Sequence, residues 1–372
     1  MKNFFRDRVN GKDGGNGIVK TSNEGSNEFV NLGATVEEEV KEETEDDIKV
    51  MAGQNLVDMD LALSAWQRYL KQLKKGGYFY SSGFATHDLY HGGIIRTALV
   101  TVAAATGEGK SSYAIAMAYQ MCLKGYYVIF VSLEEEITDC INRLACTMSE
   151  HVTLSHLNAS GGPPKEILES LLSCGPRLRK LPMKWGGMGQ YEDFSRSVKE
   201  EVRAIREEDP QAQIVVFLDY IGRLRYRGLS AGQADKYMSV STIARNIKDL
   251  AKKLRVPHVV LAQLNREQGR TKDKTPKLDH LADSSELGKE SNLVIMLRRP
   301  GYNPEDEESD VPDNRMTVRV VKNRNGPVGK YELEWLGPRA TVKELESQIL
   351  IAKNKERYRE ASVFQQEPNE KM

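Results

Sequence analysis

Residues 104–111 are Ala104-Ala105-Thr106-Gly107-Glu108-Gly109-Lys110-Ser111. They follow an apolar run at 98–102 and precede an apolar stretch of helical periodicity at 112–123. A strand, a loop that ends in Gly-Lys-Ser and a helix together form the phosphate-binding P-loop. Gly107 and Gly109 let the backbone turn its N–H groups toward phosphates, and the following helix adds the positive end of its dipole. The stretch therefore predicts an α/β fold that binds a nucleoside triphosphate.

The types of the polar residues in this loop fit the same interpretation. Lys110 would place a positive charge at the β- and γ-phosphates, and the Ser111 hydroxyl would bind Mg²⁺. Ala104 occupies the position at which such loops usually have their first glycine. The alternative is a Gly-Lys-Ser sequence in a solvated turn, which the flanking strand and helix disfavour. The residues predicted to contact the nucleotide are Ala104, Thr106, Gly107, Gly109, Lys110, Ser111 and Ser112.

The composition of the 372-residue chain is that of a globular protein with one large domain and extensions. Lys+Arg and Asp+Glu both number 53, so any nucleic-acid partner would have to bind local basic loops. No apolar run is long enough to span a membrane, and the N-terminus lacks the core of a signal peptide. We therefore expect a cytoplasmic protein without a membrane partner. The four cysteines lack metal-ligand spacing and are predicted to be buried, reduced thiols.

Composition also divides the chain into parts. The acidic run at 37–47 and the scarcity of large aliphatic residues around it predict disorder. Apolar residues then recur at intervals of three and four before Gly76-Gly77, which predicts an amphipathic helix that packs on its own domain or on a neighbouring subunit. The predicted parts are a disordered acidic leader at 1–52, an amphipathic helix at 53–76, an ATPase domain at 80–340, and a C-terminal helix (about 342–361) with a polar tail at 341–372.

Within the large domain, apolar runs alternate with stretches of helical periodicity. This alternation predicts a parallel sheet with helices on both faces. Two further β-forming runs, 316–321 and 331–335, flank the turn sequence Asn325-Gly326-Pro327. The predicted parallel strands are 98–102, 128–132, 214–218, 258–262 and 293–297, and the predicted helices are 112–123, 137–148, 191–206 and 240–254.

Acidic residues at strand ends are candidates for hydrolytic chemistry. Asp219 ends the apolar run 214–218, a Walker B pattern in which the carboxylate holds Mg²⁺ through water. A helix N-cap is the alternative for Asp219. Glu134 follows an earlier strand and could polarise an attacking water. Glu135 and Glu136 come directly after it, so three acids compete for the role of base, and the run could also favour a helix N-terminus.

Gln263 also ends a predicted strand. A neutral amide at this position can sense the γ-phosphate and report its presence to the loop that follows. That loop, 265–274, is long, polar and basic. It either faces a polyanion or is a solvated surface loop.

A pair of cations marks one of the last strands. Lys322 and Arg324 flank Asn323, so their side chains share a face of the strand. Two adjacent cations need an anion, which the γ-phosphate of a neighbouring subunit would supply to an arginine finger. The alternative is two solvent-exposed cations on an edge strand.

The order of these motifs resembles the RecA-like motor domain of the DnaB family of replicative helicases, of a phage or plasmid type. The resemblance extends over about residues 83–337. Its more specific elements are Gln-Leu-Asn-Arg at 263–266 and Lys-x-Arg-Asn-Gly at 322–326. The matching stretches are 104–111, 132–134, 218–220, 250–257, 262–266 and 322–329.

The resemblance implies a ring-shaped homo-hexamer that binds ATP between subunits and moves along single-stranded DNA to unwind the duplex during replication. The amphipathic helix would correspond to the linker helix of the family, which docks on the next protomer. The implied roles are catalytic base for Glu134, Mg²⁺ binding for Ser111 and Asp219, γ-phosphate sensing for Gln263, and contact with the nucleotide of the adjacent subunit for Arg324 and Lys322.

The sequence departs from the family at two places. The family's N-terminal domain, which contacts primase, has no counterpart in 1–52, so a helicase loader or a primase is only a candidate partner. Ala282 stands where the family typically has an arginine, and Ser285 where it has a glycine. Loss of that cation should weaken phosphate contact. The residues predicted to contact DNA instead are Arg266, Arg270, Lys289 and Arg227.

Two other functions stay open from the sequence. One is a RecA-like recombinase, and the other is a nucleotide-dependent assembly ATPase that does not unwind DNA. The Lys-x-Arg-Asn-Gly element favours the helicase. The assembly ATPase stays open because Ala104 replaces the usual first glycine of the P-loop, and because the loop with Ala282 and Ser285 departs from the family. A six-fold ring with DNA-stimulated hydrolysis would indicate the helicase, a filament the recombinase, and DNA-independent hydrolysis the assembly ATPase.

Overall fold

The fold is known from a computed structural model of the chain. The contacts within it divide the chain into two compact units, 1–71 and 72–372. The predicted leader at 1–52, the loop with Arg266 and Arg270, and Ala282 lie outside the described residues. The described residues are 56–149, 151–227, 233–264, 277–281, 285–300, 302, 314–351 and 354.

The first helix among the described residues, α1, spans Met59–Lys75 and is shorter than the predicted 53–76. It starts after Asp58, whose Oδ1 accepts a hydrogen bond from the backbone N–H of Leu61 at 2.8 Å. Such a bond satisfies one of the free N–H groups of a helix start. The helix ends at Gly76, which adopts φ 78°. The large apolar side chains at 56–75 that are exposed are Leu56, Val57, Met59, Leu61, Leu63, Trp66 and Leu70.

The remaining elements belong largely to an α/β arrangement. Among the described residues before 345, the further α-helices of more than three residues are α2 Ala85–His91, α3 Lys110–Leu123, α4 Ile137–Met148, α5 Leu154–Leu157, α6 Lys165–Arg179, α7 Tyr191–Glu208, α8 Gln233–Leu254 and α9 Ser285–Glu290. The strands are β1 Phe79–Tyr80, β2 Ile94–Ile95, β3 Leu99–Ala104, β4 Tyr127–Ser132, β5 Met183–Gly186, β6 Ile214–Asp219, β7 His258–Gln263, β8 Leu293–Arg298, β9 Arg315–Asn323, β10 Gly329–Leu336 and β11 Thr341–Glu344.

Within the described residues, nine strands form one sheet in the order β11-β10-β9-β8-β3-β7-β6-β4-β5. The six strands from β8 to β5 are parallel. The three strands from β9 to β11 are antiparallel to their neighbours. The prediction of a parallel sheet is confirmed for its central part, and the two later β-forming runs extend it as an antiparallel edge.

Buried apolar residues lie on both faces of the sheet. One cluster joins β3, β4 and β8 to α3 through residues such as Tyr113 and Met117. The second joins the opposite side chains of the same strands to α7 and α8 through Phe194 and Ile247. Successive side chains of a strand point to opposite faces, so a strand buried on both sides is apolar throughout. The predicted helices on both faces are confirmed.

The structure differs from the sequence prediction after Pro338. The expected helix at 342–361 does not begin there, because Thr341–Glu344 forms strand β11 and pairs antiparallel with β10. Thr341 and Val342 are buried, whereas Lys343 is exposed. Helical residues begin only at 346. The sheet therefore extends beyond the predicted domain boundary at 340.

All four cysteines are free and buried, as predicted. Among the described helices, none is both long enough and apolar enough to cross a membrane.

Candidate active site

The predicted nucleotide loop connects β3 to α3 at the carboxyl edge of the parallel strands. Gly109 adopts φ 88°, and a Cβ at this position would lie 2.8 Å from the Trp335 ring. Gly107 adopts φ 85° and is covered by the Tyr302 ring in the same way. Both glycines are thus required by backbone conformation and by close packing. Carboxyl edges of open α/β sheets are the usual place for ligands.

Lys110 is the first residue of α3 and lies among groups of opposite charge. Its Nζ is 3.5 Å from Oε2 of Glu134 and 3.9 Å from Oδ1 of Asp219. The ammonium group also lies 4.6 Å from the centre of the Tyr220 ring. Side chains from three separate segments therefore meet at the P-loop. A phosphate bound here would lie beside both the predicted base and the predicted metal ligand.

Asp219 ends β6 and is buried. Burial raises the pKa of its carboxyl to about 6, although the charge of Lys110 and a hydrogen bond from Ser111 oppose the shift. Oδ1 has no hydrogen-bond partner among the described residues. A buried carboxylate oxygen beside a serine hydroxyl is a donor set that suits Mg²⁺. Asp219 and Ser111 therefore fit the ion that the sequence assigns to them.

The structure distinguishes the three neighbouring acids. Arg143 donates to Glu135 through Nε at 2.9 Å and through Nη2 at 2.7 Å, so both oxygens of that carboxylate are paired. Arg143 also donates to the Ser112 hydroxyl at 3.3 Å. Glu136 directly precedes α4, at its N-cap position. Glu134 is exposed and contacts Lys110, which makes it the acid best placed to act on a water molecule.

Gln263 at the end of β7 is hydrogen-bonded to the P-loop. Its Nε2 donates to Oγ1 of Thr106 at 2.6 Å. β7 is the direct neighbour of β3, with Gln263 in register with Ala104. The predicted sensor and the nucleotide loop are therefore in direct contact.

Three residues that the sequence analysis did not select surround the P-loop. The guanidinium of Arg299 lies 4.4 Å from the centre of the Tyr302 ring and 4.3 Å from that of Trp335. Its Nη1 donates to the Gly107 carbonyl at 3.4 Å. Arg299 follows β8 closely, so the strand-end rule that selected Asp219 could have found it. Trp335 lies on an antiparallel strand, and no local pattern connects it with the loop.

Lys322 and Arg324 lie at the opposite edge of the sheet from the P-loop of the same chain. Asn323 pairs with Leu293 at the start of β8, whereas the P-loop follows the end of β3. At about 3.3 Å per residue, β3 alone separates the two edges by roughly 15 Å. β9 lies between β8 and β10, so the alternative of an edge strand does not hold.

Both cations donate to carbonyl groups of α9. Lys322 Nζ donates to the carbonyls of Gly288 and Lys289, each at 2.8 Å. Nη2 of Arg324 donates to the Lys289 carbonyl at 2.7 Å. Cations at the carboxyl end of a helix satisfy its free carbonyl groups. Arg324 remains exposed.

Two of the predicted DNA contacts lie within the described residues. Arg227 Nη2 lies 2.9 Å from each carboxylate oxygen of Asp193, so a DNA phosphate would compete with this pair. Lys289 is exposed and ion-paired with Glu286 at 3.4 Å. Neither position tests the assignment, which stays a prediction for all four residues.

Comparison with known proteins identifies the family of the chain. Residues 80–344 match the family described as DnaB-like helicase C terminal domain. The replicative DNA helicase DnaB of Geobacillus stearothermophilus is 27% identical over 264 residues, which are 68% of this chain and 54% of the relative. The probable plasmid replicative DNA helicase of Chlamydia psittaci is 26% identical over 248 residues, 66% of this chain and 51% of the relative. The chain thus spans about half the length of these relatives.

Two solved structures have the same fold. One is an isolated ATPase domain that superposes with a TM-score of 0.66 and 23% identity, covering 78% of this chain and 100% of that one. A DnaB-like replicative helicase, solved with its interactions with primase as the subject, gives a TM-score of 0.64 and 22% identity. It covers 78% of this chain and 68% of that one.

Proposed function

The chain belongs to the DnaB-like helicase C-terminal domain family, and we propose that it is an ATP-driven replicative DNA helicase that acts in the cytoplasm as a hexameric ring. The observation that carries the proposal is the position of Arg324 at the edge of the sheet opposite to its own P-loop. A hydrolytic site that contains both a P-loop and Arg324 therefore needs a second copy of the chain. A closed ring supplies that copy at every site. The family match does not favour the recombinase or the assembly ATPase.

In the proposed reaction, the P-loop N–H groups and Lys110 bind the phosphates of ATP. Ser111 and Asp219 would hold Mg²⁺, which would supply positive charge to the bound phosphates. Glu134 accepts a proton from the water that attacks the γ-phosphorus, while the bond to the β-phosphate oxygen breaks and yields ADP and phosphate. Gln263 holds Thr106 and senses the γ-phosphate.

The adjacent subunit completes the site. Its copies of Arg324 and Lys322 would donate to the γ-phosphate, where negative charge accumulates in the transition state. In the isolated chain the two side chains donate to carbonyls of Gly288 and Lys289, so they already lie together and point to one place. At the subunit interface, Lys322 and Arg324 would donate to a phosphate instead of to these neutral carbonyl groups.

Hydrolysis would drive movement along single-stranded DNA. Phosphate contacts from local basic residues suit a chain whose net charge is zero. The residues that we assign to this contact are Arg266, Arg270, Lys289 and Arg227. Helix α1, which follows the acidic leader along the chain, would serve as a linker whose apolar side chains dock on the next protomer. A helicase loader or a primase is a candidate partner, since a structural relative was solved for its interactions with primase.

Two single variants test the proposal. Lys110→Ala is expected to abolish ATP binding, since it removes the charge that contacts the phosphates. Arg324→Ala is expected to bind ATP but to lower kcat by about 100-fold or more, the scale of an arginine finger. ATP binding, DNA-stimulated hydrolysis, strand separation and particle images of the assembly are the measurements. A helical filament, or a monomer under all nucleotide and DNA conditions, would contradict the helicase.

Mixed assemblies test the trans arrangement. Arg324→Ala subunits keep an intact P-loop, and Lys110→Ala subunits keep an intact arginine. When the two are mixed, some neighbouring pairs combine both functional parts and should recover hydrolysis. A mixture that is no more active than its components would refute the assignment of Arg324 to the neighbouring site.

A further inference from the structure

Asn292 directly precedes β8, and both its backbone and its side chain are hydrogen-bonded to β3. Its N–H donates to the Leu99 carbonyl at 2.8 Å. In return, the Leu99 N–H donates to Oδ1 of Asn292 at 3.1 Å. Leu99 is the first residue of β3, which ends at the P-loop. The two bonds therefore fix Asn292 relative to the strand that carries this chain's own nucleotide loop.

The carbonyl of Asn292 holds the predicted arginine finger. It accepts a hydrogen bond from the backbone N–H of Arg324 at 2.9 Å. On the other side, Nδ2 of Asn323 donates to the His91 carbonyl at 2.8 Å. The chain around Arg324 is thus held at two points, the carbonyl of Asn292 and the carbonyl of His91. The position of the first carbonyl depends on the hydrogen bonds that the Asn292 side chain makes.

A buried lysine orients that side chain. Lys248 of α8 is only 6% exposed, and its Nζ donates to Oδ1 of Asn292 and, at 3.1 Å, to the Thr97 carbonyl. Both acceptors are neutral. Burial, together with the nearby charges of Lys252 and Arg324, lowers the pKa of Lys248 to about 8, while Glu290 and Asp249 oppose the shift.

Burying the Lys248 ammonium group costs free energy if its only role is to stabilise the fold. A buried ammonium group that is bonded only to neutral oxygens loses hydration without a full compensating charge. Apolar residues of similar volume often replace buried charges at no loss of stability. Ser291 reinforces the same junction, since its hydroxyl donates to the Leu287 carbonyl at 2.7 Å and lies 2.7 Å from Oγ1 of Thr101 on β3.

We propose that Asn292, oriented by Lys248, is a positioning residue that fixes Arg324 relative to β3. The inference rests on the proposed function, in which Arg324 acts on the nucleotide of the adjacent subunit. Asn292 then connects β3, which carries the P-loop of one nucleotide site, to Arg324, which completes the nucleotide site of the adjacent subunit. Loss of its side-chain acceptor displaces Arg324 without touching the P-loop residues themselves.

Two substitutions in the full-length chain separate this role from bulk packing. Asn292→Leu keeps a side chain that branches at Cγ, although a larger one, and removes the acceptor of both side-chain bonds. Asn292→Asp keeps an oxygen acceptor there and serves as the matched control. We expect Asn292→Leu to lower kcat for DNA-stimulated hydrolysis by about 10- to 100-fold, the effect of misplacing a catalytic group by about 1 Å. KM for ATP should change by less than about threefold, since the P-loop is intact.

The control variant Asn292→Asp shows whether a fall in kcat of Asn292→Leu comes from the lost acceptor. Asn292→Asp is expected to stay within about threefold of the wild-type kcat, because either oxygen can accept from Leu99 and Lys248. An Asn292→Leu protein with normal kcat, or an Asn292→Asp protein as slow as Asn292→Leu, would overturn the proposal. If Asn292→Leu does not fold, Lys248→Met tests the same junction, and a normal kcat for that variant would also overturn it.

A mixing experiment separates this inference from the proposed function. Asn292→Leu subunits are mixed 1:1 with Lys110→Ala subunits, so that about one neighbouring pair in four combines an intact P-loop with an intact Arg324. Recovery of hydrolysis above both components supports a defect that acts through the neighbouring site. The parallel mixture of Arg324→Ala and Lys110→Ala is the control. If only the control recovers, Asn292 acts on its own site and the inference is wrong; if neither recovers, the trans role of Arg324 is wrong as well.

Discussion

The guanidinium of Arg143 pairs with both carboxylate oxygens of Glu135, at 2.9 Å and 2.7 Å. This pairing separates two adjacent acids that the sequence leaves equivalent. A carboxylate held by two hydrogen bonds to an arginine has little freedom to move toward a water molecule. Glu134 has no such partner in the described structure and instead faces Lys110 at 3.5 Å.

We expect Glu134→Gln to bind ATP and to lower the hydrolysis rate by about 100-fold or more, since an amide does not accept the proton. Glu135→Gln is the matched control and should stay within about tenfold of the wild-type rate. Single-turnover hydrolysis and equilibrium binding of a fluorescent ATP analogue are the measurements. Normal turnover by Glu134→Gln, together with loss of turnover in Glu135→Gln, would move the role of base to Glu135.

Asp219→Asn is expected to stabilise the protein without nucleotide while it abolishes Mg²⁺-dependent hydrolysis. The pKa of Asp219 in the folded state is about 6, above its usual value of 3.8, so the fold favours the protonated carboxyl. The stability that this proton contributes is present below pH 3.8 and is lost as the pH rises through 6. Replacement by the neutral amide should therefore raise the free energy of unfolding by about 1–3 kcal/mol at pH 8.

The gain should be smaller at pH 5, where Asp219 in the folded protein is already mostly protonated. Urea unfolding of both proteins at pH 5 and pH 8, without nucleotide or Mg²⁺, measures the difference. An equal gain at both pH values would show that the titration of Asp219 is not its cause.

The bond between Gln263 and Thr106 should couple the two residues in catalysis. Thr106→Val and Gln263→Leu each remove the bond while they nearly conserve volume. We expect each to lower kcat by about tenfold and the double variant to be little worse, with a coupling of about 1 kcal/mol in the activation free energy. Thr106→Ser keeps the hydroxyl and should resemble the wild type. Additive losses in the double variant would mean that the two side chains act independently.

Gly326→Ala should impair hydrolysis through Arg324. A Cβ at Gly326 would collide with the His91 carbonyl oxygen and lie 2.8 Å from Nδ2 of Asn323. The turn must then move, and we expect kcat to fall by about tenfold. Gly161→Ala is the control, because no atom lies within 4 Å of its added Cβ. If the two variants hydrolyse ATP equally fast, the position of this turn does not limit the reaction.

The sequence was most informative where local pattern and burial agree. The central residues of β6 and β7 are apolar because helices cover both faces of the sheet, so the ends of these strands, and with them Asp219 and Gln263, could be located from the chain alone. It was least informative at 165–186, where no element was predicted. α6 contains Gly175 and Pro176, which interrupt its helical pattern, and β5 has only four residues.

By itself, the sequence determined the P-loop, the order of the strands along the chain and the polar residues at their ends. These features follow from residue type and short-range spacing, which act before the chain has folded. The tertiary structure alone decided which acid Arg143 holds, where Arg324 lies relative to the P-loop and which residues cover the nucleotide loop. Those facts depend on contacts such as Arg143 with Glu135, Asn292 with Leu99 and Trp335 with Gly109. The geometry of such contacts exists only when distant segments pack together, because spacing along the chain does not set the distance between two side chains in space.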